Sequence, residues 1–166
     1  FELNFTNRGG KVIWAENGAQ AIEEVLKICA EKNCRSLVKS KSMVTEEIHL
    51  NDALKENGIE SVETDLGEYI QQLDGEAPYH IVTPAMHKSK EDVAKVFHEH
   101  HGTPIDSTPE ELTMVARKIL RDKYTRADVG ITGANFILPD IGGVLVLENE
   151  GNARLTVTFP KVHIVI

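Results

Sequence analysis

Cysteine, positive charge and long apolar runs are all scarce in this 166-residue sequence, and each scarcity removes a class of function. Only Cys29 and Cys34 are present, whereas a four-iron cluster is normally held by four thiolates, so this chain is expected to hold no cluster of its own. Spaced as C-x4-C, the pair reads either as part of a metal or redox site or, the reading favoured here, as two reduced thiols near a helix end. Lys and Arg total 18 against 26 Asp and Glu, a net charge of -8. That balance argues against a protein that grips a phosphate backbone, so no nucleic-acid partner is expected. No apolar run approaches the roughly 20 residues that cross a bilayer, and no charged-then-apolar signal leads the chain, so the expected location is cytoplasmic with no membrane span. Internal repeats and low-complexity linkers are absent as well.

What is present fits one globular domain over residues 1–166, with 41% hydrophobic and 27% charged residues. The chain opens on Phe1 and stops at Ile166, inside the apolar alternation Val162, Ile164, Ile166. It therefore reads as a piece of a longer protein.

Apolar spacing predicts a helix over residues 15–33 through Ala19, Ile22, Val25, Leu26 and Cys29, then a strand over 36–39. A helix over 43–57 stops at Gly58, a strand follows over 59–64, then a helix over 66–73 and a third strand over 80–83 ahead of Pro84. Ser89 caps a helix that ends near Gly102. Thr108-Pro109-Glu110-Glu111 gives the strongest start signal: a hydroxyl N-cap, proline at the first helical position and glutamate at the third. A fourth strand is expected over 129–132, and a β-rich remainder includes buried strands over 144–147 and 155–159 with a tight turn over 148–152 between them. Alternating strands and helices predict an α/β fold, a mainly parallel sheet with helices on both faces and later strands that could run antiparallel.

In such a sheet, ligands collect at the strand C-terminal ends. Lys39-Ser40-Lys41-Ser42 follows the first strand, where two ammonium groups and two hydroxyls could converge on an anion, or simply form a solvated helix cap. Glu63 and Asp65 flank Thr64 after the second strand, His87 follows the third, and Thr132-Gly133-Ala134-Asn135 follows the fourth. A carboxylate there could act as base or nucleophile and His87 could move a proton; the plainer alternative is a cap and a loop histidine. Glu148, Asn149 and Glu150 end an apolar run, so Glu148 is either a turn acid paired with Arg154 or a partly buried carboxylate able to act as a nucleophile. His98-Glu99-His100-His101 lacks the spacing of a zinc helix and reads as a polar helix end, so no metal site is assigned.

The runs V-K-S-K-S-M-V-T-E-E-I (38–48), E-T-D-L-G-E (63–68), H-I-V-T-P-A-M-H (80–87), T-G-A-N-F (132–136) and G-G-V-L-V-L-E-N-E-G-N-A-R (142–154) together resemble the lactate utilisation protein B family, within the group sharing the LUD domain. The likeness runs from about residue 15 to the end. It implies a fold similar to sugar-phosphate isomerases, glucosamine-phosphate deaminases and CoA transferases (the NagB/RpiA/CoA transferase-like group). It further implies a role in a cytoplasmic, multi-subunit iron-sulfur complex that oxidises L-lactate to pyruvate and feeds electron transport.

Full-length members of that family carry ferredoxin-like cysteine motifs after this domain, so [4Fe-4S] clusters are expected in a region beyond this sequence and the isolated piece is expected to be inactive as an oxidoreductase. The candidate site residues are Glu63, Asp65, His87 and Glu148 for catalysis, with Lys39, Ser40, Lys41, Ser42, Thr132, Gly133, Asn135, Asn149 and Glu150 for holding a small organic anion. Two other readings stand beside this one: a non-catalytic docking module for iron-sulfur subunits, and an acyl or CoA-transferase-like enzyme with Glu148 as nucleophile. The expected partners are other subunits of a lactate utilisation complex, and a homo-oligomer is compatible with the sequence.

Overall fold

A computed structural model describes residues 1–166 apart from Ile81 and Asn149. Its centre is a four-stranded, wholly parallel sheet in the order β2-β1-β3-β6, built from β1 (Ser36–Lys39), β2 (Glu60–Glu63), β3 (Val129–Thr132) and β6 (Val162–Val165). A separate antiparallel pair, β4 (Phe136–Leu138) and β5 (Gly143–Leu145), follows β3.

The strands are short and apolar, and their alternation sends neighbours to opposite faces. Leu37, Val129 and Ile131 pack with Val25 and Cys29 of α2 (Gly18–Glu31) and with Leu50 and Leu54 of α4 (Leu50–Glu56). Val38 and Val62 pack instead with Tyr69 and Ile70 of α5 (Leu66–Asp74), Phe97 of α6 (Lys90–His101) and Leu112, Leu120 and Tyr124 of α7 (Pro109–Arg126). The α/β class with helices on both faces is therefore the observed one. The ends of α6 and α7 follow the sequence signals: Ser89 and Thr108 each form a capping box, and Gly102 closes α6 in the left-handed region.

Two expected strands are not strands. His80, Val82 and Thr83 lie in an irregular loop, because the His80 ring Nδ1 accepts the Val82 and Thr83 N–H groups at 3.1 and 3.3 Å; Ile81 falls outside the described residues. The run Leu155 to Thr158 belongs to α8 (Asn152–Thr158), and Phe159 is its C-cap. This helix starts at Gly151, whose φ of 82° suits glycine alone, and it lies so close to β3 that a Cβ on Gly130 would collide with the Thr156 carbonyl oxygen. The apolar run expected over 144–147 is a strand only in its first part, since β5 stops at Leu145. The predicted helix over 43–57 is two pieces, α3 (Met43–Glu47) and α4, broken where His49 takes a φ of 55°. The chain also begins with a short helix, α1 (Glu2–Asn7), whose Asn4 amide donates to the Pro139 and Asp140 carbonyls of the β4–β5 turn.

β2 is an edge strand, and its free backbone groups are covered by one side chain. Gln72 accepts the Glu63 N–H at 3.0 Å and donates to the Ser61 carbonyl at 2.8 Å, standing in for a further strand.

Candidate functional site

All four parallel strands end on the same rim, and the ladder continues one residue past three of them. Ser40 N–H donates to the Ile131 carbonyl, Thr64 N–H to Lys39 and Ile166 N–H to Thr132, each at 2.9 Å. The loops leaving β1, β2 and β3 therefore start side by side. A cavity of about 420 Å³ lies between them. Ser40, Lys41 and Ser42 form one wall, Asp65 a second, and Gly133 with Asn135 a third; Glu148 enters from the segment ahead of α8 and Asn152 from its first turn. Met43, Val44, Leu147 and Ile166 supply apolar surface. The approach at Gly133 is close: a Cβ there would lie 3.4 Å from Ser42 Oγ.

Several of these residues also hold the local fold. Ser42 caps α3, and Asp65 caps α5 by accepting the Gly67 and Glu68 N–H groups at 3.0 and 3.2 Å. Asn135 anchors the hairpin above the cavity, since its Oδ1 accepts the Leu147 N–H at 2.8 Å. Glu148 Oε2 accepts the Arg154 N–H at 2.9 Å and Oε1 lies 3.6 Å from Arg154 Nε. Glu150 neighbours the rim; burial first, and then the Asp65 carboxylate, push its pKa above the usual carboxylate value, against the opposing pull of the Leu66 N–H and Lys41.

Other candidates lie away from the cavity wall. Lys39 is fully buried and points into the protein, where Nζ meets Thr45 Oγ1 at 2.9 Å, Glu46 Oε1 at 2.6 Å and Glu63 Oε1 at 2.8 Å. Burial would lower its pKa, but the Glu63 and Glu46 carboxylates outweigh that and hold it above the ordinary lysine value. Three acceptors match the three N–H groups of one ammonium, so Lys41 is the cation of this loop that faces the cavity. Glu63 is the inner partner of Lys39. Thr132 is buried, with its hydroxyl 2.8 Å from His163 Nε2, and burial lowers the His163 pKa. His87 sits in the loop beyond α5, 3.1 Å from Glu76 Oε2 and with its ring tilted 43° against Tyr79. Asn149 lies outside the described residues.

Sequence reasoning missed Glu68, which is 2% exposed on α5 with both carboxylate oxygens unpartnered. Burial, then the neighbouring Glu63 carboxylate, raises its pKa to about 8, with Lys39 opposing and Asp65 adding to the shift. Nothing in the local pattern marks it, because an acid in a first helical turn is the ordinary preference. Among the described residues, no group of three or more His, Cys, Asp or Glu is placed to hold a metal ion, and no helix is long and apolar enough to cross a membrane.

The LUD domain family model matches residues 1–166. The chain is 49% identical over 164 residues to Lactate utilization protein B of Bacillus velezensis, covering 98% of this chain and 34% of that protein. Lactate utilization protein B of Bacillus subtilis matches with the same identity and coverage. The Escherichia coli protein named "Uncharacterized electron transport protein YkgF" is 45% identical over 161 residues, 97% of this chain and 34% of that protein. The chain thus spans about a third of the length of these relatives. No solved structure matches it. With the family model matching from end to end and nearly half of the residues shared with these proteins, the chain belongs to the LUD domain family.

Proposed function

We propose that this chain is the LUD domain of a lactate utilisation protein, and that the cavity at the strand ends holds a small 2-hydroxy acid such as L-lactate. The names of its relatives support the lactate role and a link to electron transport. The observation that carries the ligand assignment is the meeting of one lysine, Lys41, with two carboxylates, Asp65 and Glu148, across one cavity. A 2-hydroxy acid needs that combination: its carboxylate pairs with an ammonium and its hydroxyl donates a proton to a carboxylate. Ser40, Ser42 and Asn135 add hydrogen-bonding groups, and Met43, Val44 and Ile166 suit a methyl group. Excess negative charge at the rim disfavours anions that carry no donor.

Oxidation of L-lactate to pyruvate releases two electrons and two protons, one of them from the hydroxyl. In this reading Asp65, whose cap bonds use only Oδ1, takes the hydroxyl proton, while the loop around Lys41 orients the carboxylate. The donor set for a [4Fe-4S] cluster is not in this chain, since Cys29 and Cys34 are both buried and are its only thiols. We place the clusters, and the partners that receive electrons, outside the third of the relatives' length that this chain covers, in a cytoplasmic complex.

Calorimetry with L-lactate tests the assignment. Lys41→Met should abolish binding while leaving the melting temperature unchanged; equal affinity in the variant retires the site. A docking role draws on a different observation, the exposed Phe136, Ile137 and Ile141 of the β4–β5 hairpin. Covalent catalysis by Glu148 is less favoured, because Arg154 already engages both of its oxygens.

A further inference from the structure

A second cavity, about 730 Å³, opens along the β2 edge, and its inner wall includes Glu63, Glu68 and Gln71. These residues are 3%, 2% and 1% exposed. Four of their oxygens, Glu63 Oε2, both oxygens of Glu68 and Gln71 Oε1, are shielded from solvent and find no donor on any neighbouring side chain, with Glu68 lying against the Glu63 carboxylate itself. The neighbouring donors are already engaged. Lys39 and Asn51 donate to the other Glu63 oxygen at 2.8 and 2.7 Å. Gln71 Nε2 donates to the Pro84 carbonyl at 3.1 Å, which settles which end of that amide is the oxygen.

Unpaired buried acceptors cost about 1–3 kcal/mol each, and charged ones more, so the cluster calls for a species that brings positive charge, either a proton shared by Glu68 and Glu63 or a metal cation. Charge points the same way: one ammonium, Lys39, faces Glu46, Glu63 and Glu68. Glu46, Asp52, Glu60 and Glu76 also line the cavity, against Lys55 and Lys123, which gives its mouth an acidic excess.

We propose that this cavity binds a hard divalent cation of the magnesium, manganese or calcium class, coordinated by Glu63 Oε2, the Glu68 carboxylate and the Gln71 amide oxygen. An oxygen-only set of two carboxylates and one amide suits such ions and does not suit thiophilic metals. The open part of the cavity leaves room for the waters these ions retain. The cation site and the lactate cavity share α5: Asp65 caps the helix at the rim, and Glu68 lies one turn further on. A bound cation would therefore fix the end of the helix that carries Asp65.

Manganese titration of chelator-treated protein, followed by the electron paramagnetic resonance of free Mn²⁺, tests this. Saturable binding of one Mn²⁺ per chain, displaced by Mg²⁺, is expected, and Glu68→Gln, which keeps the shape, should weaken it at least about tenfold. A second readout needs no variant. The carboxylate stretching bands in the infrared difference spectrum should shift on adding Mn²⁺ or Mg²⁺. Absence of saturable binding, unchanged affinity in Glu68→Gln, or carboxylate bands that do not shift in saturating cation would overturn the proposal; the last result would show Glu68 sharing a proton with Glu63 instead. Lactate affinity plays no part in this test, so either assignment can fail alone.

Discussion

Lys39 and Glu63 are cross-strand partners in the parallel register of β1 and β2, and their side chains meet at 2.8 Å with 0% and 4% of their side-chain surface exposed. Register alone puts the two on the same side of the sheet, and burial then makes each dependent on the other.

Replacing Lys39 by methionine should therefore destabilise the fold strongly. Removing one member of a buried pair leaves an uncompensated charge and costs about 3–5 kcal/mol. The cost should fall when Glu63→Gln is combined with Lys39→Met, because the stranded carboxylate is then neutral. Urea unfolding of the single and double variants measures this coupling, and additive losses would show that the two side chains act independently.

Stability should decline as pH rises through the neutral range in cation-free buffer. Glu68 has its folded pKa raised from 4.5 to about 8. The folded state thus holds its proton more tightly than the unfolded chain, so this group favours folding fully below the ordinary carboxylate value and progressively less as pH climbs to about 8. At about 1.4 kcal/mol per pKa unit, the swing is on the order of a few kcal/mol. Chemical unfolding across that range should show the decline in the native sequence and a flatter profile in Glu68→Gln. An equal slope in both would locate the titration elsewhere.

Gly130 should tolerate no side chain. A Cβ there meets the Thr156 backbone oxygen, which cannot swing aside as a flexible side chain could. Gly130→Ala should force α8 off β3 at a cost of ~3 kcal/mol. Since Asn152 and Ala153 of α8 line the cavity proposed to hold lactate, lactate affinity measured by calorimetry should drop as well. An alanine variant with native stability and affinity would mean that α8 can move off β3 at little cost.

Much of the fold was legible because its signals are local. Thr108 and Glu111 close a capping box, Gly58 and Gly102 each take a positive φ at or just past a helix end, and the apolar runs at 36–39 and 129–132 form strands; each depends on neighbours within a few residues. Leu155 to Phe159 alternates like a strand and yet is helical up to Thr158, because packing on β3 outweighs β-propensity. The run at 80–83 misled for a different reason, since a histidine ring there satisfies backbone N–H groups that a strand would have paired.

The candidate site divides along the same line. By itself the sequence determined which residue types stand at the strand ends, and a parallel sheet then brings Ser40, Lys41, Ser42, Asp65, Gly133 and Asn135 to one rim, because every strand points the same way. Only the tertiary structure decided that Lys39 turns inward while Lys41 faces the cavity, and that Glu68 lies beside Glu63 without a donor. Those outcomes depend on strand register and on how α5 covers the β2 edge. Both are set by contacts between segments far apart in the chain, which no short stretch of sequence encodes.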